Sequence, residues 1–167
     1  EAVTGQGVLV VAAAGNVNAS TLHFPAANPG AIGVTAVDSQ NVKAPFANFG
    51  NGWVDVAAPG VGILSTMINT QGSGYATWSG TSMATPFVSG AAALLRQKYP
   101  TASAATIEQL LSSSGQTIDA QNPLYQGALG RLLDVQAALN STLSVNLNLE
   151  SDVLTIASAM PSARSAE

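Results

Sequence analysis

The stretch GTSMATP (residues 80–86) is followed at once by the apolar segment FVSGAAALL (residues 87–95). Apolar residues recur there at helical spacing, and Arg96 and Lys98 come just before Pro100. Positive charge suits the end of a helix, and proline cannot continue one. A helix this apolar is expected to be central rather than superficial. Ser82 stands at its start, where a serine is usually a cap but can also be a nucleophile.

Three apolar segments before residue 80 are predicted to be strands. They are GVLVVAAA (7–14), AIGVTAV (31–37) and WVDVA (53–57), rich in β-branched residues and flanked by glycine or proline. Such short continuous runs are typical of strands buried on both faces of a parallel sheet. Residues 63–67 are expected to extend the third strand or to pair with it. Strands followed by helices predict an α/β fold, a three-layer sandwich with a mainly parallel sheet.

The sequence after residue 100 predicts two further helices. Residues 103–113 place Ile107, Leu110 and Leu111 on one face, and Asp134 could cap a short helix over residues 135–139. Residues 116–130 have the composition of a loop. From Asn140 onward the pattern becomes polar and alternating, so residues 143–149 are expected to form an edge strand or to begin an appended segment.

The composition argues against several classes of function. The chain of 167 residues is 47% apolar and 8% charged, with a formal net charge of −4. It has no basic run, so nucleic-acid binding lacks its electrostatic footprint. Its apolar runs are far shorter than the ~20 residues of a membrane span. It has no cysteine, and its single histidine cannot build a His-rich metal site.

A second informative stretch is AAAGN (12–16), at the end of the first predicted strand. Open α/β folds place their sites at the carboxyl edge of the sheet, where Asn16 is expected. The backbone N–H of Ser82 is one of the unpaired donors of the first helical turn, and the Asn16 amide would be a second donor. Two donors beside a serine hydroxyl form an oxyanion hole, which stabilises the intermediate of acyl transfer. Thr81 either helps to hold this geometry or only forms the turn.

With these motifs together, the chain resembles the subtilisin-like serine proteases, or subtilases. The segment AAGN (13–16) resembles the family's oxyanion-asparagine segment, and GTSMATP (80–86) resembles its nucleophile segment. Other family-like segments follow in the family's order: FPA (24–26), AIGVTAV (31–37), FANFG (46–50), VDVAAPG (54–60) and the closing helix GRLLDVQAA (130–138). The resemblance implies that residues 1–140 are the carboxyl-terminal part of a subtilisin-like catalytic domain. Residues 141–167 are then a carboxyl-terminal extension or the start of an appended segment.

The resemblance implies a serine endopeptidase that hydrolyses polypeptide substrates through an acyl-enzyme at Ser82. Asn16 is then the oxyanion-hole donor. In the family the triad Asp and His come before the asparagine segment, but no Asp or His precedes Asn16 here. We therefore expect an upstream segment to supply both, and the 167 residues alone to be inactive. The alternative is an inactive subtilase-fold module for binding or scaffolding.

The resemblance also implies a wall of the substrate pocket at Ala13, Ala14 and Gly15. Their small size leaves room for a substrate side chain, although tight packing of a central strand explains it equally well. His23 precedes Phe24 in the loop that the resemblance places at the floor of this pocket. It is either a pocket-lining residue that narrows the pocket or a loop histidine that faces solvent.

The predicted chemistry requires no cofactor and no catalytic metal. Asn28, Pro29 and Gly30 could offer carbonyls to a weak structural calcium site, as in some relatives, although their composition alone indicates only a turn. Asp55 has the position of a strand-end or turn residue. The resemblance further implies a secreted, monomeric enzyme with a propeptide, and the absence of cysteine is compatible with secretion.

Overall fold

The computed structural model of the protein describes residues 6–69 and 72–141. The chain forms, in order, strands β1 to β5 at Val10–Ala13, Ala31–Val37, Val56–Pro59, Ile63–Asn69 and Gly72–Trp78. Helices α1 and α2 follow at Thr81–Lys98 and Ala104–Ser113, then a 3₁₀ turn at Pro123–Tyr125, strand β6 at Arg131–Leu132 and helix α3 at Val135–Asn140. The main sheet is parallel, in the order β1-β2-β3-β6. Strands β4 and β5 form a separate antiparallel pair.

The core lies between the main sheet and its helices. Alternate residues of β2, among them Ile32 and Val34, pack with Val88 and Leu95 of α1 in one fully buried cluster. The next residues along the strands face the opposite side, where Val37 and its neighbours pack against loop residues. Strand β2 is buried along its whole length. The predicted α/β fold with a mainly parallel sheet, buried on both faces at residues 31–37, is confirmed.

Strand β1 is shorter and more exposed than the sequence predicts. It covers Val10–Ala13 rather than residues 7–14, and most of its residues are only partly buried. Within the described residues, β2 is its one strand partner. The prediction of burial on both faces was wrong for this strand, because β1 is an edge strand of the described sheet.

The third strand and its successor also differ from the prediction. Trp53 and Val54 lie in a turn, in which the Val54 N–H donates to the Gly50 carbonyl at 3.2 Å, so β3 begins three residues later, at Val56. Strand β4 neither extends β3 nor pairs with it. It pairs with β5 instead, a strand that its sequence GSGYATW conceals because two glycines weaken the strand pattern.

Helix α1 carries the two basic residues of its last turn as predicted, but one of its faces is not covered. Val88 and Leu95 are buried, whereas Phe87 and Leu94 are 43% and 46% exposed. The helix is thus central on the face that packs against the sheet and the other helices, as expected, and its opposite face is uncovered in the described part of the chain. No helix in this part is long and apolar enough to cross a membrane.

The two shorter helices both begin at a side-chain cap, and the sequence predicted the one at Asp134. The Ser103 hydroxyl accepts a hydrogen bond from the Thr106 N–H at the start of α2. The Asp134 carboxylate accepts one from the Ala137 N–H at the start of α3. The short helix predicted over residues 135–139 is confirmed as α3, whereas Arg131 and Leu132, at the start of the family-like segment 130–138, form β6. The strand expected at residues 143–149 lies outside the described residues.

Candidate active site

Ser82 is the second residue of helix α1, and its side chain is exposed. The capping position belongs to Gly80, so the interpretation of Ser82 as a cap was wrong. At the second helical position, the Ser82 N–H has no carbonyl within the helix to pair with. It lies at the positive end of the helix dipole. The fold therefore presents a hydroxyl and an unpaired backbone donor side by side.

The turn before Ser82 is fixed to the carboxyl end of β3. The Gly80 N–H donates to the Gly60 carbonyl at 2.8 Å. A Cβ on Gly60 would lie 2.5 Å from the Ala36 Cβ and 2.8 Å from the Gly80 carbonyl oxygen. Because this approach has no room for a side chain, a glycine is required at position 60. The helix start thus sits at the edge of the sheet where the sequence placed the site.

Asn16 follows β1, and its side chain meets the same helix start. Its Oδ1 accepts hydrogen bonds from the Thr81 N–H at 2.9 Å and from the Thr81 hydroxyl at 3.0 Å. Thr81 is fully buried, and its Oγ1 also accepts from the Gly15 N–H at 3.1 Å. Thr81 therefore holds the asparagine through its oxygen and leaves the amide nitrogen for another acceptor.

The two predicted donors border one small space. The Asn16 Nδ2 and the Ser82 backbone nitrogen each lie 3.7 Å from the point that a Cβ on Gly80 would occupy. The Met83 Sδ lies 3.5 Å from the same point. Both nitrogens therefore lie near the same point beside Gly80. Charge stabilisation by such preorganised donors is the principal contribution of an oxyanion hole.

Ser82 also lines two open cavities. One has a volume of about 340 Å³ and is mainly apolar, with Phe87 and Leu64 in its wall. The other has a volume of about 460 Å³ and includes Ala13, Thr85, Pro86 and Ser89. Neither cavity is lined by a histidine or a carboxylate of the described residues. Among the described residues, the site thus contains a serine and two donors but no base that could accept the serine proton.

The known proteins that this chain resembles decide its family. A model of the subtilase family matches residues 2–132, most of the chain. The chain belongs to the subtilase family. Its resemblance and its partial subtilisin-like α/β fold are thereby confirmed, and the subtilase family is one of serine proteases that hydrolyse peptide bonds.

This chain is similar to one part of each of several individual subtilases. Subtilisin BL from Lederbergia lenta is 45% identical over 126 residues, which are 75% of this chain and 45% of that protein. Alkaline elastase YaB from Bacillus sp. (strain YaB) is 48% identical over 111 residues, 66% of this chain and 28% of that protein. A cold adapted subtilisin-like serine proteinase of known structure superposes with a TM-score of 0.69 at 33% identity, covering 79% of this chain and 46% of its own. The chain thus spans less than half the length of these subtilases.

The pocket residues expected from the subtilase resemblance lie on different faces of β1 and the loop after it. Ala13 lines the larger cavity together with Ser82. The Ala14 side chain is fully buried on the opposite face of the sheet, in a cluster with Ala26 and Trp53. Its backbone is also occupied, because the Ala14 N–H donates to the Val34 carbonyl and the Ala14 carbonyl accepts from the Asn48 Nδ2. The pocket role of both alanines stays a prediction.

Gly15 and His23 lie next to each other. Gly15 has a φ of +102°, and a Cβ there would lie 2.5 Å from the Asn48 Nδ2 and 3.2 Å from the His23 Cδ2. The backbone conformation and the lack of space together require glycine. The His23 side chain is exposed and lines neither cavity beside Ser82. Its place in the specificity pocket stays a prediction.

A separate cavity of about 290 Å³ contains two carboxylates. It is lined by the turn at residues 26–31 and by Asp55 and Glu108. Burial raises the pKa of Asp55, while a hydrogen bond from the Gly33 N–H at 2.7 Å acts in the opposite direction. Burial, and then the Asp55 carboxylate, raise the pKa of Glu108. Within the described residues, no three His, Cys, Asp or Glu side chains are grouped to hold a metal ion.

Sequence reasoning overlooked two parts of this region. Asp55 was expected to be only a strand-end or turn residue. Its position in one cavity with Glu108 has no sequence signal, because the two residues are far apart along the chain. Asn48 was not considered, although it contacts the loop that carries Asn16. Its position within the family-like segment FANFG (46–50) was the one available hint.

Proposed function

We propose that the protein acts as a serine endopeptidase on polypeptide substrates, with Ser82 as the nucleophile and Asn16 as the oxyanion donor. The supporting observation is the pair of hydrogen bonds from Thr81 to the Asn16 Oδ1. These bonds leave the Asn16 amide nitrogen beside the same small space as the Ser82 N–H. Family membership supports the reaction class, and this geometry supports the assignment of the two residues.

The proposed reaction begins when the Ser82 Oγ attacks the carbonyl carbon of the scissile peptide bond. A histidine accepts the hydroxyl proton, and an aspartate orients that histidine. The carbonyl oxygen becomes an oxyanion, which accepts hydrogen bonds from the Asn16 Nδ2 and the Ser82 N–H. Collapse of the intermediate expels the amine, which takes the proton from the histidine. Water then hydrolyses the acyl-enzyme at Ser82.

The triad His and Asp are proposed to lie on a segment upstream of these residues. Two observations support this: no titratable side chain of the described residues lines the cavities at Ser82, and the only histidine of the chain, His23, is not among their lining residues. The 167 residues by themselves are then expected to be inactive. "Full-length enzyme" below means these residues together with that segment. Family membership also supports secretion, a propeptide and a monomeric state.

A fluorophosphonate probe tests this proposal, because it labels only a serine that a base has activated. Protein from its native source is treated with the probe, and intact mass and labelled site are measured together. We expect a chain heavier than 16.7 kDa that is labelled at Ser82. Ser82→Ala should abolish labelling, whereas Ser89→Ala, which changes a serine in the same cavity, should retain it. An unlabelled chain of 16.7 kDa would instead favour the inactive scaffold module.

We further propose that the cavity at Asp55 and Glu108 holds a structural cation such as calcium. Two carboxylates and the carbonyls of the turn at residues 26–31 provide oxygen donors, which calcium prefers. The turn residues Asn28, Pro29 and Gly30, which the sequence assigned to such a site, line the same cavity. A bound cation would neutralise the two carboxylates and stabilise the turn. It has no part in the reaction.

Glu108→Gln is expected to raise the melting temperature at neutral pH by about 1–3 °C in the absence of calcium. Folding raises the pKa of Glu108 above its usual value of 4.5, so the folded state favours the protonated carboxyl. This contribution to stability is fully present below pH 4.5 and is lost as the pH rises through the raised pKa. The gain should therefore disappear below about pH 4. Because Glu108 is partly exposed, solvent screening limits the effect to about 1 kcal/mol or less.

Calcium should make the wild type more stable than Glu108→Gln at neutral pH. Millimolar calcium is expected to raise the melting temperature of the wild-type chain more than that of Glu108→Gln, since binding to the folded state stabilises it. Gln109→Glu changes the charge by one on an exposed position of the same helix, so it should respond like wild type. Equal calcium responses of the wild type and Glu108→Gln would contradict the proposed site.

A further inference from the structure

A buried segment runs beside the loop that carries Asn16. Three backbone hydrogen bonds join residues 46–49 to residues 15–19: Asn18 N–H to the Phe46 carbonyl at 2.8 Å, Asn48 N–H to the Gly15 carbonyl at 2.9 Å, and Phe49 N–H to the Ala19 carbonyl at 3.1 Å. The oxyanion loop is thus paired with a second chain segment along its length. Asn48 lies at the middle of this contact.

The side chain of Asn48 binds the backbone on both sides of Asn16. Its Oδ1 accepts from the Val17 N–H at 3.0 Å and from the Ala19 N–H at 3.1 Å. Its Nδ2 donates to the Ala14 carbonyl at 2.9 Å. Asn48 is 1% exposed, so water cannot replace these bonds. One buried amide therefore satisfies three backbone groups within three residues of Asn16.

Asn48 is itself held by the rigid centre of the main sheet. The hydroxyl of Thr35, a fully buried residue of β2, donates to the Asn48 carbonyl at 2.6 Å. The loop is held at a further point, where Asn18 has a φ of +53° and its Oδ1 accepts from the buried Lys43 Nζ at 2.8 Å. These contacts give the loop a fixed position relative to the sheet.

We propose that Asn48 is a positioning residue that holds the backbone around Asn16, whose side chain Thr81 binds, in place for catalysis. This inference rests on the proposed function, because it assigns Asn16 to the oxyanion. The Asn16 side chain is exposed, and its backbone position depends on the neighbours that Asn48 holds. A donor that is misplaced by about 1 Å can cost about 10²-fold in rate. Asn48 acts through Asn16 and does not touch the substrate.

Asn48→Ala in the full-length enzyme is expected to lower kcat by about 10-fold to 10²-fold and to leave KM within about threefold. The variant removes the partner of two N–H groups and one carbonyl, so the loop loses its position. If Asn48 acts through Asn16, the loss should not exceed that of Asn16→Ala. The double variant Asn16→Ala/Asn48→Ala should then have the same kcat as Asn16→Ala. Losses that multiply would overturn the inference.

Asn122 offers a matched control for the loss of a buried asparagine. Its Oδ1 accepts from the Lys43 N–H, and its Nδ2 donates to the Asn41 and Ile118 carbonyls. It is 3% exposed and likewise binds three backbone groups. Asn122→Ala should therefore lower the melting temperature about as much as Asn48→Ala, while kcat stays near the wild-type value. An equal loss of kcat in both variants would overturn the inference, because the Asn122 side chain makes no hydrogen bond to the residues that flank Asn16.

Amide hydrogen exchange provides a readout that does not depend on turnover. In Asn48→Ala, the Val17 and Ala19 amides should exchange faster, while amides of β2 and β3 keep their protection. Faster exchange at all amides would indicate that Asn48→Ala unfolds the protein. Thr35→Val, which removes only one hydrogen bond to Asn48, would then be the milder variant, and exchange should rise only in the loop. Unchanged exchange at Val17 and Ala19 would overturn the inference. An inactive wild-type enzyme would count against the proposed function alone, because the exchange comparison would still stand.

Discussion

Ser82→Ala is expected to lower kcat of the full-length enzyme by about 10⁶-fold, the size known for removal of the nucleophile from a subtilisin. The loss follows from the proposed mechanism, because no other atom can form the acyl-enzyme. KM and the melting temperature should change little, since the Ser82 side chain is exposed and only its hydroxyl is removed. Residual turnover should come only from the donors and from substrate binding.

Steady-state cleavage of a peptide substrate measures this effect. Ser65→Ala is a suitable control, because Ser65 is exposed and lines one of the two cavities that Ser82 lines. It should retain most of the wild-type kcat. A Ser82→Ala enzyme that keeps more than about 1% of kcat, with contamination excluded by mass, would place the nucleophile elsewhere, since loss of a triad serine costs far more.

The position of Ser82 and Asn16 could be predicted from the sequence because both depend on short-range features. Ser82 sits where an apolar helix begins after a Gly-Thr turn, and Asn16 sits where a β-branched strand ends. Local sequence also predicts the cap at Asp134, which accepts from the N–H three residues later. Sequence patterns predict such features because a few neighbouring residues determine them.

The remaining differences arise from contacts between distant residues. Strand β1 has the composition of a buried strand, but its exposure depends on which strands lie beside it. The partner of β4 depends on pairing with β5, whose glycines conceal it. Asn48 lies 29 or more residues from each backbone group that its side chain binds. No local pattern marks such a residue, because its role comes from the fold that brings two loops together.

Asn16→Ala is expected to lower kcat by about 10²-fold to 10³-fold, the size known for removal of an oxyanion donor from a subtilisin. KM should change little, because the donor acts mainly on charge that develops in the transition state. The alanine also removes the acceptor of two hydrogen bonds from Thr81. A loss of kcat in this variant alone could therefore come either from the missing donor or from a displaced loop.

Asn16→Asp separates these two causes. The aspartate keeps an oxygen that can accept from the Thr81 N–H and hydroxyl, so the loop should stay in place. It lacks the amide donor and brings a negative charge towards the oxyanion, so kcat should fall at least as far as in Asn16→Ala. If Asn16 served only to hold the loop, Asn16→Asp would turn over nearly as fast as wild type, and the oxyanion assignment would be wrong. Because the two roles predict opposite results for one substitution, kcat of Asn16→Asp decides between them.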